Sequence, residues 1–220
     1  MAFTALDVKK LREMTNVGMM DCKKALQATD GDMDKAVDWL REKGLAKAAK
    51  KADRVAAEGV AYATVVDGTG VIIEVNSETD FAAKTDSFLD LVKNLATVVA
   101  TENPADVDAL KACKYPNSNL TVTEIMQEKV MSIGENMQIR RFARFADNTS
   151  VAYVHAGGTH AVLVNLAVEG GIDATEIGKN VAMQIAAASP LALDMDCLDP
   201  ALVEREREVY RQKALEEGKP

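Results

Sequence analysis

At 220 residues, with 48% apolar and 27% charged residues, the chain has the size and composition of a soluble globular protein of one or two domains. A formal net charge of −8 argues against broad, phosphate-driven binding of nucleic acid and suits a basic patch on a protein partner. No apolar run approaches the roughly 20 residues of a membrane helix, and the opening "MAFTALDVKK" lacks a basic-then-apolar signal, which points away from membranes and secretion. Cys22, Cys113 and Cys197 are odd in number and far apart. They form no disulfide framework and no paired metal knuckle, and read as reduced, structural thiols of a cytosolic protein.

Residues 4 to 43 read as three short helices. Thr4 with Asp7 resembles a capping box ahead of Val8 and Leu11. "TNVG" breaks the pattern at Gly18, and "MMDCKKALQAT" forms a second helix stopped by "DG". Asp32 caps a third, in which Met33, Ala36, Val37 and Leu40 share a face and Gly44 is the expected stop. Trp39 belongs to the packing of this unit. "KGLAKAAKKADR", residues 43 to 54, is basic and Ala-rich, and reads either as a solvated helical connector or as an RNA contact.

The period then changes. "VAYATVV" and "GVIIEVN" flank Asp67-Gly68, a hairpin signal. A helix is predicted from about Asp86 to Thr101, with Phe88, Leu89, Val92, Leu95, Ala96 and Val99 recurring every three or four residues. Residues 102 to 120 read as a loop with room for one helical turn. "TVTEIMQEKVMSIG" reads as a helix capped by Thr121 or Thr123, and "NMQIRRFARF" as a strand with a bulge after Arg140.

A second hairpin, "VAYVHAGGTHAVLVNLAV", and a second helix, "TEIGKNVAMQIAAA", follow. "KNLATVVATENP" from Lys93 and "KNVAMQIAAASP" from Lys179 share Lys, Asn, aliphatic, Ala and Pro positions at identical offsets. Each follows a hairpin that opens in an Ala-Tyr pair, Ala61-Tyr62 or Ala152-Tyr153. Duplication is the better reading, and the fold class expected is α+β with two related hairpin-plus-helix subdomains. "DPALVEREREVYRQKALEEGKP" reads as a charged helix, with the chain interrupted before another element.

No catalytic constellation stands out. His155 and His160 have no cysteine near them in sequence, although a fold could bring Cys22 or Cys113 to one of them. "HAGGTH" lacks the P-loop pattern and lies inside a hairpin, so it reads as a tight turn. Two histidines without further ligands make a poor zinc site. Glu78 and Asp80 form an acidic pair too common to specify hydrolysis. Within "SETDFAAKTDSF", Phe81 is an isolated aromatic among polar residues: it either returns to its own core at a strand end or serves another molecule. The residues alone describe an acidic, multi-module protein whose role is binding or interaction.

Three stretches carry a resemblance. "LREMTNVGMMDCKKALQATDGDMDKAVDWLREKG" with "AKAAKKADRVAAEG" looks like the N-terminal domain and linker of bacterial elongation factor Ts. "EVNSETDFAAK" is similar to that family's signature, and "IGENMQIRRF" and the "HAGG" hairpin fall in its order. The resemblance spans nearly all of the chain. Departures are Ser77 and Glu78 where the family has Cys or Gln, Ala82 where it has Val, and Thr159-His160-Ala161 where it tends to Arg-Ile-Gly.

The resemblance implies a domain plan: a ubiquitin-associated-like three-helix domain over 1–44, a basic helical linker over 45–58, core subdomain N over 59–146 and core subdomain C, incomplete at its end, over 147–220. It implies a cytoplasmic guanine-nucleotide exchange factor acting on the GDP form of elongation factor Tu. Such a factor is not an enzyme, has no cofactor and no metal, and takes neither nucleic acid nor membrane nor small-molecule substrate. Thr79, Asp80, Phe81 and Ala82 match the segment that displaces the magnesium site of the partner. Arg12, Met19, Met20 and Lys23 match contacts made by the N-terminal domain. Of the two adjacent methionines one is expected to be exposed, because both cannot face the same core. Ile133 and Gly134 match positions beside the Phe wedge. His155 matches an interface histidine, with a simple hairpin histidine as the other reading. Two other functions stay open: a helical adaptor working through the three-helix unit alone, and an enzyme using Cys22 or Cys113 with a histidine.

Overall fold

The computed structural model describes residues 3–15 and 17–218, without the side chains of Leu45 and Lys47. Met1 and Ala2 of the opening motif, Asn16 in the expected break and Lys219-Pro220 at the end lie outside the described residues. The chain divides into two units, Met1–Met183 and Gln184–Pro220. The fold is α+β with antiparallel sheets. Among the described residues no helix is long and apolar enough to cross a membrane.

The first unit opens with α1 (Ala5–Thr15), α2 (Met19–Ala28) and α3 (Met33–Lys51). The Asp7 carboxylate accepts from the Thr4 amide and hydroxyl at 2.7 Å each, and the Thr4 hydroxyl accepts from the Asp7 amide at 3.3 Å, closing a capping box. Asp32 caps α3 by accepting from the Lys35 amide at 3.0 Å. Val8, Leu11, Cys22, Ala25, Leu26, Ala36 and Leu40 fill the space between the three helices, with Trp39 packed beside them.

Gly44 does not stop α3, which runs a further seven residues to Lys51. A Cβ at Gly44 would stand 3.0 Å from the Met131 sulfur, so this glycine admits another helix rather than ending its own. The basic stretch is helical, and it is docked rather than free. Ala48 packs against the main core, and the carbonyls of Ala52 and Arg54 accept from the Asn136 side chain at 3.3 and 2.8 Å.

β1 (Glu58–Val66) and β2 (Thr69–Ser77) form the first hairpin. Asp67 and Gly68, both with positive φ, supply its two-residue turn. Next come α4 (Asp80–Ala83), α5 (Asp86–Glu102), the short α6 (Val107–Ala112), α7 (Val122–Ile133) and β3 (Met137–Phe145). Thr121, not Thr123, caps α7 in a capping box with Glu124. The sheet order is β1-β2-β3, all antiparallel. Glu74 pairs with Arg141 and Val75 with Ile139, which leaves Arg140 as the bulged residue. Both arginines reach the Glu74 carboxylate, Arg141 at 2.7 Å and Arg140 at 3.5 Å. Against this sheet α5 buries Phe88, Leu91, Val92, Leu95, Ala96, Val98 and Val99.

β4 (Thr149–His155) and β5 (His160–Leu166) form a second, two-stranded sheet. Its turn rests on the first hairpin: the Ala61 amide donates to the Gly158 carbonyl at 2.8 Å, and a Cβ at Gly158 would collide with Val60 at 2.6 Å. α8 (Thr175–Ala188) follows, with Gly178 and Ala182 buried.

In the second unit, a single 3-10 turn at Met195–Cys197 precedes α9 (Pro200–Glu216). Asp199 caps α9 and Pro200 occupies its first turn, where a missing amide costs nothing. No residue of α9 is buried.

Candidate functional site

The candidate site grows from the end of β2. Ser77 is fully buried and its hydroxyl donates to the Thr79 carbonyl at 2.9 Å, turning the chain out of the sheet. Thr79 then starts α4: its hydroxyl accepts from the Ala82 amide at 3.2 Å. Ala82 and Ala83 face the core. With those two turned inward, Phe81 projects away from the protein and is 81% exposed, against complete burial of Phe88 only seven positions on. Asp80 pairs with Lys84 at 2.6 Å, and that bond holds its carboxyl below the usual range.

A second segment holds this loop from below. At the end of α7, Gly134 adopts a left-handed conformation with φ of 90°, and its carbonyl accepts from the Lys51 ammonium. The next residue, Glu135, accepts from the Thr79 amide at 3.0 Å and from the Thr79 hydroxyl at 2.6 Å. The Asn136 amide donates to Glu78 at 2.6 Å, and Arg54 approaches the same carboxylate at 3.4 Å. The Asn136 amide first, then the Arg54 charge, keep the Glu78 carboxyl below its ordinary value. Ile133 is half-buried against the core beneath. Glu135 and Asn136, which follow Ile133 and Gly134, thus meet Thr79 and Glu78, although 56 and 58 positions separate the paired residues.

The remaining candidates stand on other elements. Arg12 on α1 and Lys23 on α2 are exposed. Met19 and Met20 are both exposed, a correction to the expectation of one, because Cys22, Ala25 and Leu26 already fill the inward face of α2. His155 ends β4, exposed, with its Nδ1 2.8 Å from the Tyr153 hydroxyl. Its ring lies 6.3 Å from that of His160, its cross-strand partner. Among the described residues no group of three or more metal-ligating side chains is gathered.

Neither Cys22 nor Cys113 is an activated thiol. Cys22 lies in the three-helix core and donates to the Val17 carbonyl at 3.5 Å, and burial pushes its thiol up. Cys113 donates to the Ala109 carbonyl at 3.3 Å, and burial raises its thiol too. A cleft of about 460 Å³ between the N-terminal helices and α7 has an apolar floor of Val17, Leu40 and Met131, beside the 3.1 Å Arg41–Glu128 pair. What the Phe81 loop offers chemically is contact: an aromatic ring held clear of its own core on a short, doubly anchored turn. Sequence reasoning missed the anchors Glu135, Glu78, Lys51 and Arg54. Each lies within a stretch that carries the family resemblance, but no local pattern marks any of them as an anchor.

Comparison with known proteins places the chain in a family. The family profile described as Elongation factor TS matches residues 78–220, beginning at the Phe81 loop. The elongation factor Ts of Clostridium novyi (strain NT) is 49% identical over 99% of this chain and 73% of its own length. That of Cereibacter sphaeroides (strain ATCC 17025 / ATH 2.4.3) is 53% identical over 99% of this chain and 72% of its own. That of Syntrophotalea carbinolica is 46% identical over all of this chain and 74% of its own. The chain belongs to the elongation factor Ts family, whose members are translation elongation factors of protein biosynthesis.

Proposed function

We propose that the chain is a guanine-nucleotide exchange factor that binds elongation factor Tu in its GDP form and speeds loss of GDP. Phe81 and Asp80 enter the partner beside its magnesium site and shift the elements that hold the ion. Magnesium demands near-octahedral geometry, so a small displacement of its supports weakens the nucleotide strongly. No covalent step is involved and the factor is not an enzyme. A cytoplasmic location follows from the role. The observation that carries this reading is the 81% exposure of Phe81 on an otherwise anchored turn.

Burying one Phe side chain contributes about 1.5–3 kcal/mol, and each tenfold weakening of GDP takes about 1.4 kcal/mol. Phe81 thus accounts for about one to two decades, and the rest comes from a wider grip. Arg12, Met19, Met20 and Lys23 supply one part of it, and Ile133, Gly134 and His155 another. This is consistent with a plan of separate modules: a ubiquitin-associated-like domain (1–44), a linker (45–58) and two duplicated hairpin-plus-helix subdomains (59–146 and 147–220). Because coupling is reciprocal, GDP weakens the factor's grip as much as the factor weakens that of GDP.

The test is release of labelled GDP from elongation factor Tu with and without the chain. Acceleration is expected, and Phe81→Ala should lose about one to two decades of it while remaining folded. Equal acceleration by the variant removes Phe81 from the mechanism. Exposed Met19 and Met20 also fit an adaptor that binds through residues 1–50 alone. Binding of a partner by that isolated segment, without exchange by the whole chain, would favour it.

A further inference from the structure

We infer that Glu78 and Glu135 are positioning residues that fix the direction in which Phe81 points. The inference rests on the wedge reading above and assigns the machinery that aims the wedge. Two segments face one another, 78–79 and 135–136. Each gives a carboxylate from its first residue and a backbone amide from its second. Glu135 accepts from the Thr79 amide (3.0 Å) and hydroxyl (2.6 Å), and Glu78 accepts from the Asn136 amide (2.6 Å). Ionised carboxylates only accept, and such charge-assisted bonds are short and about twice as strong as neutral ones. The exchange therefore forms a reciprocal clasp.

The loop needs one. A helix as short as α4 does not hold itself, since helix nucleation is unfavourable and one turn gains little. Ala82 and Ala83 tether its far side to the core, but small side chains leave rotation about the near side unchecked. The clasp seizes that near side at Thr79, two residues before the ring. It is tied in turn to the outgoing end of α3. Arg54 reaches Glu78 at 3.4 Å, and the buried Asn136 side chain donates to the carbonyls of Ala52 and Arg54. The chain leaving the three-helix unit and the base of the Phe81 loop therefore share one knot of polar bonds. Without the clasp the loop occupies several orientations, and only the fraction aimed correctly is productive. The other contacts with the partner are unaffected.

The experiment is stopped-flow release of a fluorescent GDP analogue from elongation factor Tu at rising concentrations of the full chain, for Glu135→Gln, Glu78→Ala and Phe81→Ala. Loss of the clasp should lower the maximal release rate about tenfold and change the half-saturating concentration by less than about threefold. Melting curves check folding. If one of the two clasp variants fails to fold, the other decides the matter alone, because each removes one half of the clasp. Phe81→Ala combined with Glu135→Gln should be no slower than Phe81→Ala alone, because the clasp acts through the ring. Three results overturn the inference: clasp variants with an unchanged maximal rate, a loss confined to the half-saturating concentration, or a double variant slower than Phe81→Ala. If Phe81→Ala itself releases nucleotide at the full rate, the wedge reading falls instead.

Discussion

Two stretches of the chain carry nearly the same message and meet different fates. The helix containing Lys93 and the helix containing Lys179 share their spacing, and both end in a residue with positive φ followed by proline, Asn103-Pro104 (φ 49°) and Ser189-Pro190 (φ 45°). Ala96 and Ala182, at equivalent offsets, are both fully buried. Yet Leu95 is fully buried while its counterpart Val181 is 40% exposed. Where α5 places a buried Val92, α8 places Gly178, because Val151 of the preceding hairpin already occupies that space. The first helix lies on a three-stranded sheet with α7 beside it; the second follows a two-stranded one. Apolar periodicity names the face that wants cover. It does not say how much cover the rest of the fold provides.

The sharpest way to break this contrast is a pair of truncations. Leu95→Ala should cost about 2–5 kcal/mol of stability in urea denaturation, whereas Val181→Ala should cost about 0.5 kcal/mol. Equal costs would mean that both faces are covered alike. Next in size is Gly178→Val, which installs the residue that α5 carries at the equivalent offset. Its Cβ would stand 2.5 Å from a Val151 methyl, so a loss of about 1–3 kcal/mol is expected although valine favours helix more than glycine does.

The smallest effect concerns acid. α5 is capped by Thr85, which does not titrate, while the chain entering α8 relies on Asp173, whose carboxylate accepts from the Thr175 amide at 2.9 Å. The Thr175 hydroxyl and amide hold that carboxyl below its unfolded value. A lowered folded pKa means the contribution is present above the unfolded value near 3.8 and is lost as pH falls through the folded one. Hydrogen exchange between pH 5 and pH 3 should therefore show α8 fraying at its start before α5 does. Simultaneous fraying would remove this distinction.

Local chemistry was legible in the sequence. The Thr4–Asp7 box, the Asp32 cap, the Asp67-Gly68 turn, the Arg140 bulge and the inward face of α5 each depend on residues close in sequence, and each stands where the spacing puts it. What was not legible depends on distant residues. Gly44 looks like a helix stop until Met131 is brought against it, 87 positions later in the numbering. The stretch 43–54 looks like a free connector until Asn136 fastens its end. In the candidate site, the exposure of Phe81 follows from Ala82 and Ala83 facing inward, which a helical reading of "TDFAAK" would have shown. The grip of Glu135 on Thr79 spans 56 positions and leaves no local trace.

The seat of Gly158 on the first hairpin has a consequence for solution behaviour. β1 is an outermost strand, and such strands recruit other chains by offering them a row of free amides and carbonyls. Here the Ala61 amide is already taken by the Gly158 carbonyl, midway along the strand. An incoming ribbon would find its template interrupted at that point. The glycine-rich turn thus works as a stopper against fibre-like stacking, and a bulkier residue at 158 would uncork it.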